Sequence, residues 1–445
     1  MVSRHLFTAC CLLPAAGWSF AAEAEPAPTY SKDIAPILWK NCAGCHRPGE
    51  VGPFSLLTYR DAAKRAEFLK EVAESRKMPP WKAEPGFGHF EDERRLSDEE
   101  VARIARWADA GAPEGDPRDL PPAPKFPEGW QLGTPDLVLT MPEAFEVPAS
   151  GRDQFCCFVI PTGLAEDRTV SAIEFRPGNR KVVHHALFFL DSTGAARRRD
   201  EADPQPGYAT FGGIGILPTG SLGGWAPGTG PRPLPDGLGQ LLRKNSDLVL
   251  QVHYHPSGKA ETDRSSLGIY FTKQPARKIT MGVRLVNRAI AIPPGESRHK
   301  VTAQLTLPVA VHAYGITPHM HWLGKEMKVT AVRPDGKVEP LIWIKDWDFN
   351  WQGQYRFAEG LALPKGTRLE LEAYYDNTAD NPKNPNDPPR LVRFGEQTTD
   401  EMCLCGVQVV PDDPTGYAEL FRAMGFPFGG LRGGALRPGL RKQDQ

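Results

Sequence analysis

The sequence predicts a multidomain chain, with a small all-α domain followed by two antiparallel β-sandwich domains of the jelly-roll kind. Three observations predict it. Helical periodicity is confined to roughly the first 115 residues. From about residue 131 onward, strand-length runs alternate apolar and polar residues. Glycine and proline, 44 of each in 445 residues, punctuate those runs, while aromatic and β-branched residues stay plentiful. The length suits two or three domains. A net charge of -1, from 53 basic and 54 acidic residues, gives no sign of a nucleic-acid surface.

The first element, residues 1–24, reads as a secretory signal. Arg4 and His5 precede an apolar run that ends in small residues from Ala21 to Ala24. Cleavage is expected near Ala22 or Ala24, with lipidation at Cys10 or Cys11 as the alternative. The run is too short and interrupted to span a bilayer, and no other segment reads as a membrane span. The mature chain is expected in an oxidising compartment, the bacterial periplasm.

Residues 29–116 carry the helices. In "YSKDIAPILWKN", Ile34, Ile37 and Leu38 share a face that leads into "NCAGCHRPG". C-x-x-C-H is the haem c attachment signature, with Cys42 and Cys45 as thioether anchors and His46 as an axial nitrogen. A thioredoxin-like cysteine pair or half a zinc site would use the same residues, but no βαβ pattern surrounds Cys42. "DAAKRAEFLKEVAES", "RKMPPW" and "LSDEEVARIARWADAGAP" follow. Ser97 and Glu100 form a capping box, and Val101, Ile104, Ala105 and Ala108 form the apolar stripe. This arrangement resembles a class I cytochrome c. Its second haem ligand is often a methionine before a proline, which points to Met78, with His89 as the other candidate; Met78 could equally be ordinary core packing. The proline-rich stretch 117–130 reads as a stiff linker.

Residues 131–275 and 276–411 are the two expected β-domains. Short strands such as "TPDLVLTM", "FCCFVIPT", "VHHALFFLD", "KITMGVRLV" and "RLELEAYYDNT" lie between turn signals, and "RPDGK" is a hairpin turn. The long Gly/Pro loop at 204–239 is of the functional kind. Residues 412–445 form the expected flexible tail. Cys156/Cys157 and Cys403/Cys405 are expected to form disulfides, given export, with pairing left open. A cysteine-rich metal site is the alternative.

Histidine is scarce, 11 in all, yet six cluster: His184 with His185, His253 with His255, and His319 with His321. Adjacent histidines on a regular strand point to opposite sides, so His184 and His185 can share a metal only on a bulged strand or through different ring nitrogens. His319 and His321 point the same way from a strand. Imidazoles with few acidic neighbours suit copper or zinc better than calcium or magnesium.

Residues 131–411 resemble the copper type II, ascorbate-dependent monooxygenases, the group of peptidylglycine α-hydroxylating monooxygenase and dopamine β-monooxygenase. "VHHALFF" matches the family's paired histidines, "LVLQVHYH" the third ligand of that copper, "HAYGITPHMHWLGK" the two histidines of a second copper, and "DEMCLCG" its methionine segment. "GGWAPGTGPRPLPDG" matches the loop before the third ligand. The resemblance implies one copper on His184, His185 and His253 and a second, catalytic copper on His319, His321 and Met402. It gives Gln251 and His312 supporting places and leaves His255 outside the ligand set. Thr317, Leu404 and Gly406 stand where the peptide enzyme holds its substrate, so a peptide substrate is not expected. Together the parts imply two copper ions and one haem c. The implied reaction hydroxylates a C–H bond of a small organic substrate with O2, with electrons from a periplasmic one-electron donor reaching copper through the haem. A haem/copper electron-transfer or copper-binding protein without monooxygenase activity is the competing reading.

Overall fold

The computed structural model describes residues 26–210 and 213–424. The signal, Cys10 and Cys11, and the tail beyond 424 lie outside the described residues.

Four sheets of four or five strands dominate the molecule. The first runs in the order Leu137–Thr140, Ser266–Phe271, Arg168–Arg176, Leu238–Leu242, Lys278–Ile279. The second runs Tyr208–Ala209, Gln154–Pro161, Asp247–Tyr254, Val183–Asp191, Gly220–Trp225. Between them lies one apolar core, with Leu139, Val170, Phe175 and Ile269 on one side and Phe158, Phe188, Leu248 and Leu250 on the other. The third sheet runs Met281–Val286, Leu404–Pro411, Val311–His319, Tyr355–Leu363; the fourth runs His299–Thr306, Arg368–Tyr375, Gly324–Val332, Val338–Ile344. Val283, Val311, Val407 and Leu363 of the third face Val301, Met327, Val329 and Leu371 of the fourth across a second core. Alternation of buried and exposed positions along these strands is the physical cause of their pairing: each sheet hides one face. The hairpin at 333–337 closes with the Arg333 N–H donating to the Lys337 carbonyl at 2.9 Å and Gly336 in the left-handed region.

Four of the six short α-helices among the described residues gather near the N-terminus, α1 Ala35–Asn41, α2 Tyr59–Ala63, α3 Ala66–Glu74 and α4 Asp98–Asp109; the others are Ala195–Asp200 and Gly416–Ala423. The capping box forms, with the Ser97 hydroxyl accepting from the Glu100 N–H at 3.1 Å and the Ser97 N–H donating to the Glu100 carboxylate at 2.8 Å. The expected class, a separate all-α cytochrome c-like domain ahead of two sandwiches, is corrected. After α3 the chain leaves the helices and becomes part of the β core. Ala83 and Phe90 are buried in the second core, with Trp81 packed against it. The Glu84 N–H donates to the Trp343 carbonyl at 2.8 Å, and Phe90 bridges Phe357 with their rings stacked 5.5 Å apart. The helices keep a cluster of their own, with Ile34, Leu38, Leu69, Ile104 and Trp107 buried in it, but the segment between α3 and α4 is given to the sheets, so they are not closed off as a separate domain.

All six described cysteines are free, which corrects the disulfide expectation. Cys156 and Cys157 are neighbours on one strand and so face opposite sides, into different cores, while Cys403 and Cys405 are buried in the second β-unit. Among the described residues no helix is long and apolar enough to cross a membrane.

Candidate metal centre

Strand register builds the site. Along Val183–Asp191 the pairing with Asp247–Tyr254 matches Val183 to Tyr254 and then His185 to His253, so His184 is the extra residue of a β-bulge. That bulge turns both neighbouring imidazoles to one place. The His184 and His185 Nδ1 atoms stand 3.1 Å apart, and those of His185 and His253 3.3 Å apart. Among the described residues this trio is the one group of three or more His, Cys, Asp or Glu side chains whose donor atoms converge, all within 4.8 Å of one another.

Each ring is held. His253, 2% exposed, stacks on Phe155 at 4.2 Å, and its Nε2 meets the Asp153 carboxylate at 2.9 Å. The other Asp153 oxygen lies 2.7 Å from His255 Nδ1. The Asp153 carboxylate therefore accepts a hydrogen bond from the His253 Nε2–H and leaves the Nδ1 lone pair facing the trio. Burial pushes the His184 imidazolium down to about 4 and His185 well below the usual histidine range, with the neighbouring His253 as the next cause in both. Neutral, convergent imidazoles with no carboxylate among the donors fit a copper or zinc ion. Of the trio, His185 and His253 line a cleft of about 1600 Å³ between the two β-units.

His319 and His321 reach the same cleft from the second unit, their ring centroids 5.2 Å apart. One nitrogen of each is held: His319 Nδ1 on the Gln352 side-chain oxygen and His321 Nδ1 on the Asp400 carbonyl. Burial holds His319 below its usual range and His321 down to about 3. Met402 also lines the cleft. Beside it, Glu401 is fully buried and accepts backbone N–H bonds from His321, Leu323 and Met402. Burial pushes Glu401 up to about 8. Its carboxylate is thus occupied by the backbone. Among the described residues only the His184, His185 and His253 trio brings three His, Cys, Asp or Glu donors together, so the expected two coppers are corrected to one candidate site.

The haem expectation is corrected as well. Cys42 and Cys45 are free thiols beyond α1, and burial pushes Cys42 up to about 12. His46 Nδ1 lies 3.2 Å from the Phe54 carbonyl. The His89 carbonyl accepts from the Ala358 N–H at 3.0 Å, which ties that residue to the β-structure, and the Met78 N–H is spent on Val72 at the foot of α3. Covalent haem c, and electron delivery through it, therefore have no structural basis here.

Of the supporting residues, Gln251 is buried and donates to Thr210 at 3.3 Å, whereas His312 pairs with Asp412 at 2.8 Å on a partly exposed surface. Sequence reasoning missed Asp153, Gln352, Glu401 and Phe349. Only the pairing of Gln154 with Tyr254, which sets Asp153 opposite His255, reveals the first.

A sequence-family model described as "Copper type II ascorbate-dependent monooxygenase, C-terminal domain" matches residues 278–408, under a third of the chain. The chain is 24% identical over 203 residues to MOXD1 homolog 1 of Drosophila melanogaster, a match spanning 42% of this chain and 28% of that relative. Less than a third of the relative's length is therefore represented. Among solved structures, the major capsid protein P2 of Bacteriophage PM2 aligns at 9% identity and a TM-score of 0.27, covering 62% of this chain and 96% of that one. The PBSX exported protein XepA aligns at 9% identity and a TM-score of 0.17, covering 64% and 88%. At those scores the likeness carries no argument.

Proposed function

We propose that this chain is a copper-binding redox protein of the oxidoreductase class, holding a single copper ion on His184, His185 and His253. The observation that carries the reading is the convergence of three imidazoles at a bulged strand, His253 buried and His184 and His185 half-buried, opening onto a cleft. The distant match to a copper monooxygenase family supports copper over zinc. A copper ion bound there supplies one-electron exchange between its two common oxidation states. The protein's own part is to keep the His184 and His185 imidazoles neutral by burial, to fix the His253 tautomer through Asp153, and to present the site to a small molecule in the cleft. In this reading His319, His321 and Met402 form the facing wall that meets that molecule. The β-units extend over 131–275 and 276–411, and the protein works in the periplasm with a one-electron donor from solution.

A narrower reading is monooxygenation, with O2 and a small C–H substrate meeting in the cleft; the family match over the His319–Met402 wall favours it. Copper-loaded protein reduced with ascorbate tests both. Loss of the Cu(II) spin signal and its return in air support redox function, and incorporation of one labelled oxygen from O2 into a product supports the narrower reading. A bound copper that cannot be reduced contradicts both.

A further inference from the structure

Away from the histidines, the same cleft carries a group of arginines from three distant parts of the chain. Arg94 comes from the segment that joins the helices to the β core, Arg232 from the Gly/Pro loop of the first β-unit, and Arg356 from the strand Tyr355–Leu363 of the second; all three line the cleft. The loop is clamped by its neighbours. Arg94 Nη1 donates to the Gly228 carbonyl at 3.2 Å, Arg356 Nη1 to the Pro233 carbonyl at 2.5 Å, and the Gln354 amide to the Gly224 carbonyl at 2.9 Å.

Counter-charge is incomplete. Arg232 has Asp92 at 3.6 Å, and Arg356 has Glu91 at 3.6 Å. Both distances exceed the 2.7–2.9 Å or so of a charge-assisted hydrogen bond, and the Asp92 carboxylate is largely exposed to water. Arg94 has no salt bridge among the described residues, and its Nε is buried without a hydrogen-bond partner. A second buried donor without a partner, the Trp81 indole N–H, lies in the same neighbourhood, its ring 5.1 Å from Tyr355. Buried donors are normally satisfied, so two together beside a basic cleft mark a place where an acceptor belongs.

We propose that Arg94, Arg232 and Arg356 form an oxyanion-binding subsite of the cleft, which takes the carboxylate or phosphate group of a small-molecule ligand. A guanidinium fork matches either group through paired N–H bonds. Burial, and the nearby Arg232 charge, hold Arg94 below the usual arginine range, and the same charge acts on Arg356, as expected where like charges wait for an anion. The segment 349–356 links this subsite to the histidines, since it also carries Phe349 against His184 and Gln352 against His319. A ligand anchored at the arginines thereby presents its remainder toward the metal centre.

The test uses metal-free full-length protein, so its failure leaves the copper reading standing. Succinate and inorganic phosphate are titrated separately by calorimetry at constant ionic strength, because salt screens such contacts. One saturable anion per chain is expected; succinate alone identifies a carboxylate site, phosphate alone a phosphate site, and both a general oxyanion site. Arg232→Gln, on a partly exposed side chain, is expected to weaken binding roughly ten- to hundredfold with the unfolding midpoint unchanged. Asp92→Asn removes a competing carboxylate and is expected to tighten binding. Absence of saturable binding, unchanged affinity in Arg232→Gln, or failure of Asp92→Asn to tighten it would each overturn the proposal.

Discussion

His184 of the first β-unit stacks on Phe349 of the second, ring centroids 5.2 Å apart and planes within 17°. Phe349 in turn meets His321 edge-on at 5.8 Å and Trp322 at 4.8 Å. One side chain therefore connects the three-histidine cluster to the opposite wall of the cleft. It is 5% exposed, so Phe349→Ala should cost about 3–5 kcal/mol of stability through lost burial and the cavity left behind. It should also loosen His184 and weaken copper binding, whereas Phe349→Tyr, which keeps the stack, should retain affinity. Equal copper affinity in the alanine variant would separate the stack from the metal centre.

Asp153 is expected to act through His253 rather than on the metal. Asp153→Asn keeps the shape but loses the carboxylate that fixes the ring tautomer, and should lower copper affinity about 10–100-fold. A shift in the Cu(II) spin-resonance parameters should accompany the loss, which a simple packing defect would not produce. Unchanged spectrum and affinity would show that the 2.9 Å contact is incidental.

Acid should destabilise the metal-free protein. His184, at about 4, and His321, at about 3, are held below the unperturbed value of about 6.5, first by burial. A group with a depressed folded-state pKa contributes stability that is complete above the unfolded value and lost as pH falls toward the folded one, because the unfolded chain binds the extra protons. Glu401, raised to about 8, has the opposite sign between pH 8 and its unfolded value. It is one group against His184, His185, His319 and His321, all shifted downward. The unfolding midpoint should therefore fall between pH 7 and pH 5, and copper, which binds the neutral rings, should protect. A midpoint that rises on acidification would show that these rings are not buried neutral.

Glu401 should matter for the fold of the His321–Met402 wall. Glu401→Ala strands the His321, Leu323 and Met402 N–H groups, each at a cost of about 1–3 kcal/mol. Glu401→Gln keeps one acceptor oxygen and should be milder. Chemical denaturation distinguishes them, and equal stability of the two variants would contradict the role.

Residue type and spacing made the clustered histidines legible, and of the two conditions for adjacent histidines to share a metal, a bulged strand or different ring nitrogens, the register slip at His184 supplies the first. What stayed hidden depends on register and tertiary packing. Asp153 joins His253 and His255 only because Gln154 pairs with Tyr254. Phe349 comes from the other unit, and no local pattern announces it. The C-x-x-C-H motif misled for a related reason: it names residue types, while Ala83 and Phe90, between α3 and α4, are committed to the β core. The cysteine pairs read as disulfides from compartment logic, but Cys156 and Cys157 face different cores and both lie apart from Cys403 and Cys405 in the second β-unit.

The most direct test of the central claim is copper stoichiometry with spin-resonance spectroscopy on washed, copper-loaded protein, wild type beside His185→Ala. One copper per chain with a nitrogen-rich signal, lost in the variant, is the predicted result. No retained copper in the wild type, or the same copper and the same signal in His185→Ala, would contradict the assignment of the metal to His184, His185 and His253.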